Sequence, residues 1–294
     1  MHCPRLDHFV RFNPNGSVSR CGHMIKSPQF TSLADMDASS WLKNIKQEFS
    51  DNKWPRECVR CQETEAIDNS SIRLNAIKFD KIQTQSDYLI VGGVLDNICN
   101  SACLTCNEHL STTIGGLISK DYEIVDNTNR FWTLPQERIV HLDLNGGEPS
   151  HSKNYKQVLA NLPKNVKSVR LNTNCSTVLE ELWDLCHRGI QVTVTVSLDG
   201  IGPVHDFVRW PIKWNKFYAN LQRYMTMPVK LNTWTTVSVL NVDDLPNILE
   251  FVKEHKLDHS YAYLKEPSAL AVENKDTPES LAYIQQQKQL RSME

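Results

Sequence analysis

The sequence lacks any long apolar run. None of its hydrophobic stretches approaches the roughly 18 residues of a membrane span, which argues against a helical membrane protein. It also lacks an excess of charge: 32 Lys and Arg stand against 34 Asp and Glu, a net of −2. That balance argues against a protein built to coat nucleic acid or an anionic membrane surface. No basic stripe points to an RNA-modifying enzyme. Glycine (11) and proline (13) are too few among 294 residues for collagen or low-complexity disorder. No internal repeat is present. The opening Met-His-Cys-Pro-Arg-Leu-Asp is no signal peptide, so a cytoplasmic location is expected. With 40% hydrophobic residues, the chain has the composition of a soluble globular protein.

Cysteine is what the chain does have. There are 9, an odd number in a chain without an export signal, which makes a poor disulfide framework. Clustered cytosolic cysteines bind metal or do redox chemistry. Here Cys3, Cys21, Cys58 and Cys61 precede residue 62, and Cys99, Cys103 and Cys106 lie within eight residues of one another. Cys175 and Cys186 stand apart.

The first segment reads as small and irregular. Asn13-Pro14-Asn15-Gly16 lies between residues 8–12 and 17–21, a strong hairpin signal. Asp37 or Ser39 is placed to cap a helix over 40–49, where Trp41, Ile45 and Phe49 recur at helical spacing. A core so small often needs a metal staple. The spacing predicts a cysteine-rich module over residues 1–70, a linker over 71–86 and a larger domain over 87–294.

From residue 87 onward strands and helices alternate. Strands are expected at 88–95, 139–145, 166–174, 191–198, 229–240 and 259–264. Helical patterns fall at 108–118, 154–162, 177–188, 203–225 and 242–255, with a last helix at 278–292. Such alternation implies parallel pairing and right-handed crossovers. Three strands also alternate in polarity. His141, Asp143 and Asn145 share one face, as do Arg170, Asn172 and Asn174, and Thr193, Thr195, Ser197 and Asp199. Buried parallel strands normally read as continuous apolar runs. A polar inner face fits a curved sheet around a wet cavity. The fold class expected is α/β, a partial (β/α)6 TIM-like barrel preceded by the small module and its β-hairpin.

Cys99-x3-Cys103-x2-Cys106 follows the first of these strands. Thiolates bind iron–sulfur clusters or zinc. Three of them can hold three irons of a 4Fe–4S cluster and leave the fourth open. A zinc site completed by His109 or a distant cysteine is the other reading.

The octet Cys99-Asn-Ser-Ala-Cys103-Leu-Thr-Cys106 resembles the signature of the radical S-adenosylmethionine (radical SAM) superfamily. Further motifs follow in that family's order. Asn145-Gly146-Gly147-Glu148-Pro149 ends the second strand, Leu171-Asn172-Thr173-Asn174 the third, and Val196-Ser197-Leu198-Asp199-Gly200 the fourth. His205-Asp206-x2-Arg209 comes next. The last two elements look like those of members that modify peptides and proteins. Two positions depart from the pattern: Thr105 stands where an aromatic residue is usual, and Cys175 where glycine is frequent.

The resemblance implies a catalytic 4Fe–4S cluster on Cys99, Cys103 and Cys106, whose open iron chelates SAM. It implies that Gly146 and Gly147 let backbone approach the methionine part and that Glu148 accepts from its ammonium group. Asn172, Ser197 and Asp199 would bond ribose hydroxyls or the carboxylate. Arg209 would bond that carboxylate too, or else form a surface pair with Asp206. The stretch from Thr235 to Ser238 would flank adenine. Cys175 is a small filler or a hydrogen-atom donor, and Cys186 a core residue. Cys3, Cys21, Cys58 and Cys61 resemble the ligands of SPASM or twitch modules, implying one auxiliary 4Fe–4S cluster, with structural zinc as the alternative. The activity implied is reductive cleavage of SAM to a 5′-deoxyadenosyl radical that takes hydrogen from a substrate. That substrate is expected to be a peptide or protein, with a nucleoside, sugar or other metabolite as the alternative. A flavodoxin or ferredoxin would donate the electron. A non-catalytic, metal-stabilised binding protein is the reading from another class. No membrane or nucleic-acid partner is expected.

Overall fold

The computed structural model describes residues 1–119 and 122–293. Eight strands form one sheet in the order β2-β1-β3-β4-β5-β6-β7-β8. They are β1 (Phe9–Phe12), β2 (Val18–Ser19), β3 (Leu89–Gly93), β4 (Ile139–Leu144), β5 (Ser168–Thr173), β6 (Gln191–Ser197), β7 (Lys230–Val237) and β8 (Asp258–Tyr263). Among the strand pairs of the described residues, β1–β2 is antiparallel and the others are parallel. The order is linear and its two end strands are not paired to each other. The fold is therefore mixed α/β, consistent with an incomplete TIM-like barrel.

The helices before β3 are α1 (Arg5–His8), α2 (Leu33–Ala38), α3 (Ser40–Ser50), α4 (Val59–Asp68) and α5 (Ile72–Asp80). Between β3 and β4 lie α6 (Thr112–Ile118) and α7 (Thr128–Thr133). The crossovers carry α8 (Lys153–Ala160), α9 (Glu181–His187), α10 (Pro203–Val208), α11 (Trp214–Met225) and α12 (Leu245–Glu254). α13 (Pro278–Leu290) is the last helix.

All six strands read from the alternating pattern are present, within a few residues of the expected bounds. The hairpin also forms, with Gly16 at φ +77° closing its turn. Its strand β1 goes further than expected. It pairs in parallel with β3, Phe9 opposite Ile90 and Phe12 opposite Gly93. One continuous core consequently runs from Leu6, Phe12 and Phe49 through Leu171 and Val194 to Val252. Where the sequence suggested a linker over 71–86, α5 forms instead, with Ser71 accepting from the Leu74 N–H as its N-cap.

The two faces of the sheet separate as the alternation predicts. Leu142, Leu171, Val194 and Val196 are fully buried under the helices. On the other face, register sets Asp143 opposite Arg170 and Arg170 opposite Thr193, a polar row across three strands. The helical pattern over 203–225 divides into α10 and α11. Pro211 lacks the N–H a continuing helix needs, and its ring crowds the preceding turn. The Asp206 carboxylate accepts from the Trp214 N–H and so starts α11.

Candidate functional site

The three clustered cysteines sit on the loop after β3, and that loop is held on several sides. The Cys99 N–H donates to Thr112 Oγ1 (3.1 Å), and Thr113 Oγ1 donates to the Cys99 carbonyl (2.7 Å). Ser111 Oγ donates to the Ser101 carbonyl (2.6 Å). The break between α10 and α11 leaves carbonyls free, and the loop uses them. Ala102 N–H donates to Trp210 O (2.8 Å) and Leu104 N–H to Val208 O (2.9 Å). An irregular loop can be buried only when its backbone groups find such partners.

Cys99, Cys103 and Cys106 face one cavity of about 220 Å³. Gly146, Gly147 and Glu148 from the end of β4 also line it, with Asn172 of β5, Ser197 of β6, Thr236 of β7 and Arg209. These are carboxyl ends of successive parallel strands, where α/β folds bind ligands. Gly147 needs its lack of a side chain here. Its φ is +60°, and a Cβ would stand 2.7 Å from the Asp96 carbonyl and 2.9 Å from that of Ile98. Of the residues the sequence singled out for SAM, Asp199 lies off the wall, and of the stretch from Thr235 to Ser238 only Thr236 is on it. Asp199 is 1% exposed and sits behind the wall.

Glu148 is committed to internal bonds. Its Oε1 accepts from Ser150 N–H (3.0 Å), Ser150 Oγ (2.6 Å) and Thr173 Oγ1 (2.7 Å). Its Oε2 accepts from the Asn174 N–H (2.6 Å). Asn174 Nδ2 in turn donates to Asn100 Oδ1 (3.0 Å) and Ser101 Oγ (3.1 Å) on the cysteine loop. The carboxylate thus ties the turn after β4 to the end of β5 and, through Asn174, to the loop.

Arg209 is paired, but with Asp199 at 2.8 Å rather than with Asp206. Both side chains are nearly inaccessible, at 11% and 2% exposure, so this is an internal pair and not a surface one. Asp199 Oδ1 also accepts from the Thr236 N–H (2.8 Å), which fixes the end of β7. The Arg209 Nε is buried without a partner.

The three thiols suit a soft cation. Burial first, and then the charge of neighbouring cysteines, pushes the Cys99 thiol up to about 11 and the Cys106 thiol up to about 12. Buried thiols that repel each other's charge stay protonated unless a metal offsets it. Among the described residues no group of three or more His, Cys, Asp or Glu stands at the spacing for a single metal ion. The donor set is compatible with a cluster whose fourth corner is left to an outside ligand.

The second cysteine group also converges. Cys3 before α1, Cys21 after β2, and Cys58 and Cys61 at the start of α4 line one small apolar hollow with Leu6, Met24 and Phe49. Burial raises the Cys3 thiol to about 12, with Cys21 and Cys61 adding to it. Cys58 is raised by burial and then by Cys3, Cys21 and Cys61. Residues up to 58 positions apart in sequence therefore feel each other's charge. Arg73 stands beside them, held by Glu65 (Nε to Oε1, 2.9 Å) and donating to the His2 carbonyl (2.9 Å).

Cys175 is fully buried at φ +60°. That left-handed backbone is why glycine suits the position. Its Sγ contacts the Phe217 carbonyl (3.7 Å), and it does not line the cavity. Cys186 is half-buried at the rim of the core, its Sγ 3.5 Å from the Pro228 carbonyl. The sequence reading missed Asn100 and Ser101 as loop anchors. Their positions inside the cysteine motif were the available signal.

No family model matches the chain, and no curated protein matches it. Some solved structures are similar to part of the chain. Native anSMEcpe with bound AdoMet is 14% identical, over 59% of this chain and 52% of that one, with a TM-score of 0.46. SuiB of Streptococcus suis bound to the precursor peptide SuiA is 14% identical, over 85% of this chain and 60% of that one, with a TM-score of 0.44. SuiB bound to S-adenosylmethionine is 15% identical, over 84% of this chain and 57% of that one, with a TM-score of 0.45. The chain spans between 52% and 60% of the length of these proteins. Among the described residues, no helix is long and apolar enough to cross a membrane.

Proposed function

We propose that the chain is a radical SAM enzyme that acts on a peptide or protein. The observation that carries this is one cavity walled by three thiols and by the ends of four successive parallel strands. The wall segments at the cysteine loop and after β4, β5 and β6 belong to motifs that resemble the superfamily's, in its order. Cys99, Cys103 and Cys106 would hold the catalytic 4Fe–4S cluster. When bound, that cluster supplies the electron for reductive cleavage of SAM to a 5′-deoxyadenosyl radical.

The chain's own groups bind and orient. Gly146 and Gly147 offer backbone at close range, while Asn172 and Ser197 offer polar side chains for ribose hydroxyls or the carboxylate. Arg209 lines the cavity and brings positive charge beside the thiols, so its guanidinium would bond the SAM carboxylate. Glu148 acts by positioning Asn174 and the cysteine loop. The peptide class rests on the Ser-Leu-Asp-Gly and His-Asp-x-x-Arg elements. Cys3, Cys21, Cys58 and Cys61 would hold one auxiliary cluster, and a cytosolic flavodoxin or ferredoxin would supply electrons.

The test is anaerobic reconstitution. The protein should turn brown, bind about eight irons if both sites hold 4Fe–4S clusters, and release 5′-deoxyadenosine with SAM and reductant. A colourless protein that binds zinc and releases none would refute the proposal.

A further inference from the structure

Arg291, one residue past the end of α13, is 2% exposed. It lies 185 positions or more from the clustered cysteines in sequence, yet its side chain reaches into their loop. Nε donates to the Ala102 carbonyl (2.6 Å) and Nη2 lies 3.4 Å from the Cys103 carbonyl. Nη1 donates to the Gln287 side chain, one turn back. Among the described residues no carboxylate pairs with this guanidinium. The anionic or ionisable groups that it senses are Cys103, Tyr283 and Cys106.

A buried guanidinium without a counter-charge is expensive, because it leaves water and gains no opposite charge in return. Two buried arginines beside the cysteine groups do have such a partner. Arg209 has Asp199, and Arg73 has Glu65. For Arg291, Glu108 and Glu266 line the same hollow without bonding it, and the groups that its side chain does bond are the carbonyls of the cysteine loop and Gln287.

We propose that Arg291 is a positioning residue of the Cys99/Cys103/Cys106 centre. It fixes the loop through two carbonyls and supplies the buried positive charge that balances the thiolates of a bound cluster. The charge half of this inference rests on the radical SAM reading; the clamp half does not. The sign of the redox effect follows from Coulomb's law. One-electron reduction adds negative charge beside a fixed positive one, which favours the reduced cluster. Removing the charge should make the midpoint potential more negative. α13 thereby becomes part of the redox centre, although it carries none of the motifs.

The experiment compares wild type, Arg291→Gln and Arg291→Lys as full-length proteins. In metal-free protein, hydrogen exchange is followed at the Ala102 and Leu104 amides. Arg291→Gln should speed it roughly tenfold, the effect of losing about one strong hydrogen bond. In reconstituted protein, the potential is read from the EPR signal that SAM perturbs. Arg291→Gln should shift it negative. Arg291→Lys keeps the charge but not the fork, so it should hold the potential nearer to wild type while exchange still quickens. If Arg291→Gln leaves both exchange and potential at wild-type values, the inference is wrong. A wild-type protein with no iron on the three cysteines would instead overturn the proposed function, and the exchange measurement alone would then decide the clamp.

Discussion

Glu148→Gln separates two roles for the same carboxylate, SAM ligand or internal clamp. The change is nearly isosteric, so packing is preserved. The hydrogen-bond pattern is not. Backbone N–H groups point at both oxygens, Ser150 N at Oε1 and Asn174 N at Oε2. Whichever way the new amide turns, its NH2 faces one of these donors. A buried N–H left against a donor costs about 1–3 kcal/mol. The remaining bonds, from Ser150 Oγ and Thr173 Oγ1, lose their charge assistance. Part of this is offset because a neutral amide is easier to bury than a carboxylate. The net loss should be about 2–4 kcal/mol. With a urea m-value of about 1–3 kcal/mol/M, the midpoint should fall by about 0.7–4 M. The assay is urea unfolding of the metal-free protein, with SAM binding measured on the reconstituted one. A midpoint equal to wild type, combined with loss of SAM affinity, would refute the clamp and make Glu148 a direct ligand.

Other outcomes follow from the same geometry. Replacing Cys99, Cys103 and Cys106 by Ala should abolish 5′-deoxyadenosine release while iron persists at the other four cysteines; surviving activity would refute the assignment. Replacing Cys58 and Cys61 by Ala should remove only that second iron complement, and loss of all iron would point to one shared site or to unfolding. His205 is fully buried against Phe217, at 4.3 Å between ring centroids, with both ring nitrogens unpartnered, and burial holds it down at about 3. Below its ordinary 6.5 the unfolded chain binds a proton that the folded one refuses, so stability is full above that pH and falls toward pH 3. The slope is at most about 1.4 kcal/mol per pH unit, and His205→Leu should flatten it in acid-unfolding curves. Cys175→Ala should still give wild-type product, since the thiol faces Phe217; product loss at unchanged SAM cleavage would make it a hydrogen donor after all.

Much of this protein is local in the sequence. The β4 to β6 strands announce themselves by alternation, because a strand exposes successive residues to opposite faces. Ser39 starts α3 by accepting the Leu42 N–H, as its residue type suggests. Gly147 tolerates its left-handed backbone because it has no side chain. The division at Pro211 was equally visible, but the apolar periodicity on both sides suggested one helix. Convergence was not local. Nothing in residues 9–12 says that they pair with residues 90–93, because that contact closes across the whole cysteine-rich segment.

By itself, the sequence determined the residue types: seven thiols in two groups, a strand–helix alternation and motifs at strand ends. Those follow from short-range spacing, which backbone geometry converts directly into faces and turns. Only the tertiary structure decided which charges meet. It set Arg209 against Asp199 rather than Asp206, gave Glu148 four internal donors, and brought Arg291 to the loop at Ala102. Pairings of that kind depend on where distant segments pack, and burial then makes each one consequential because water no longer screens it.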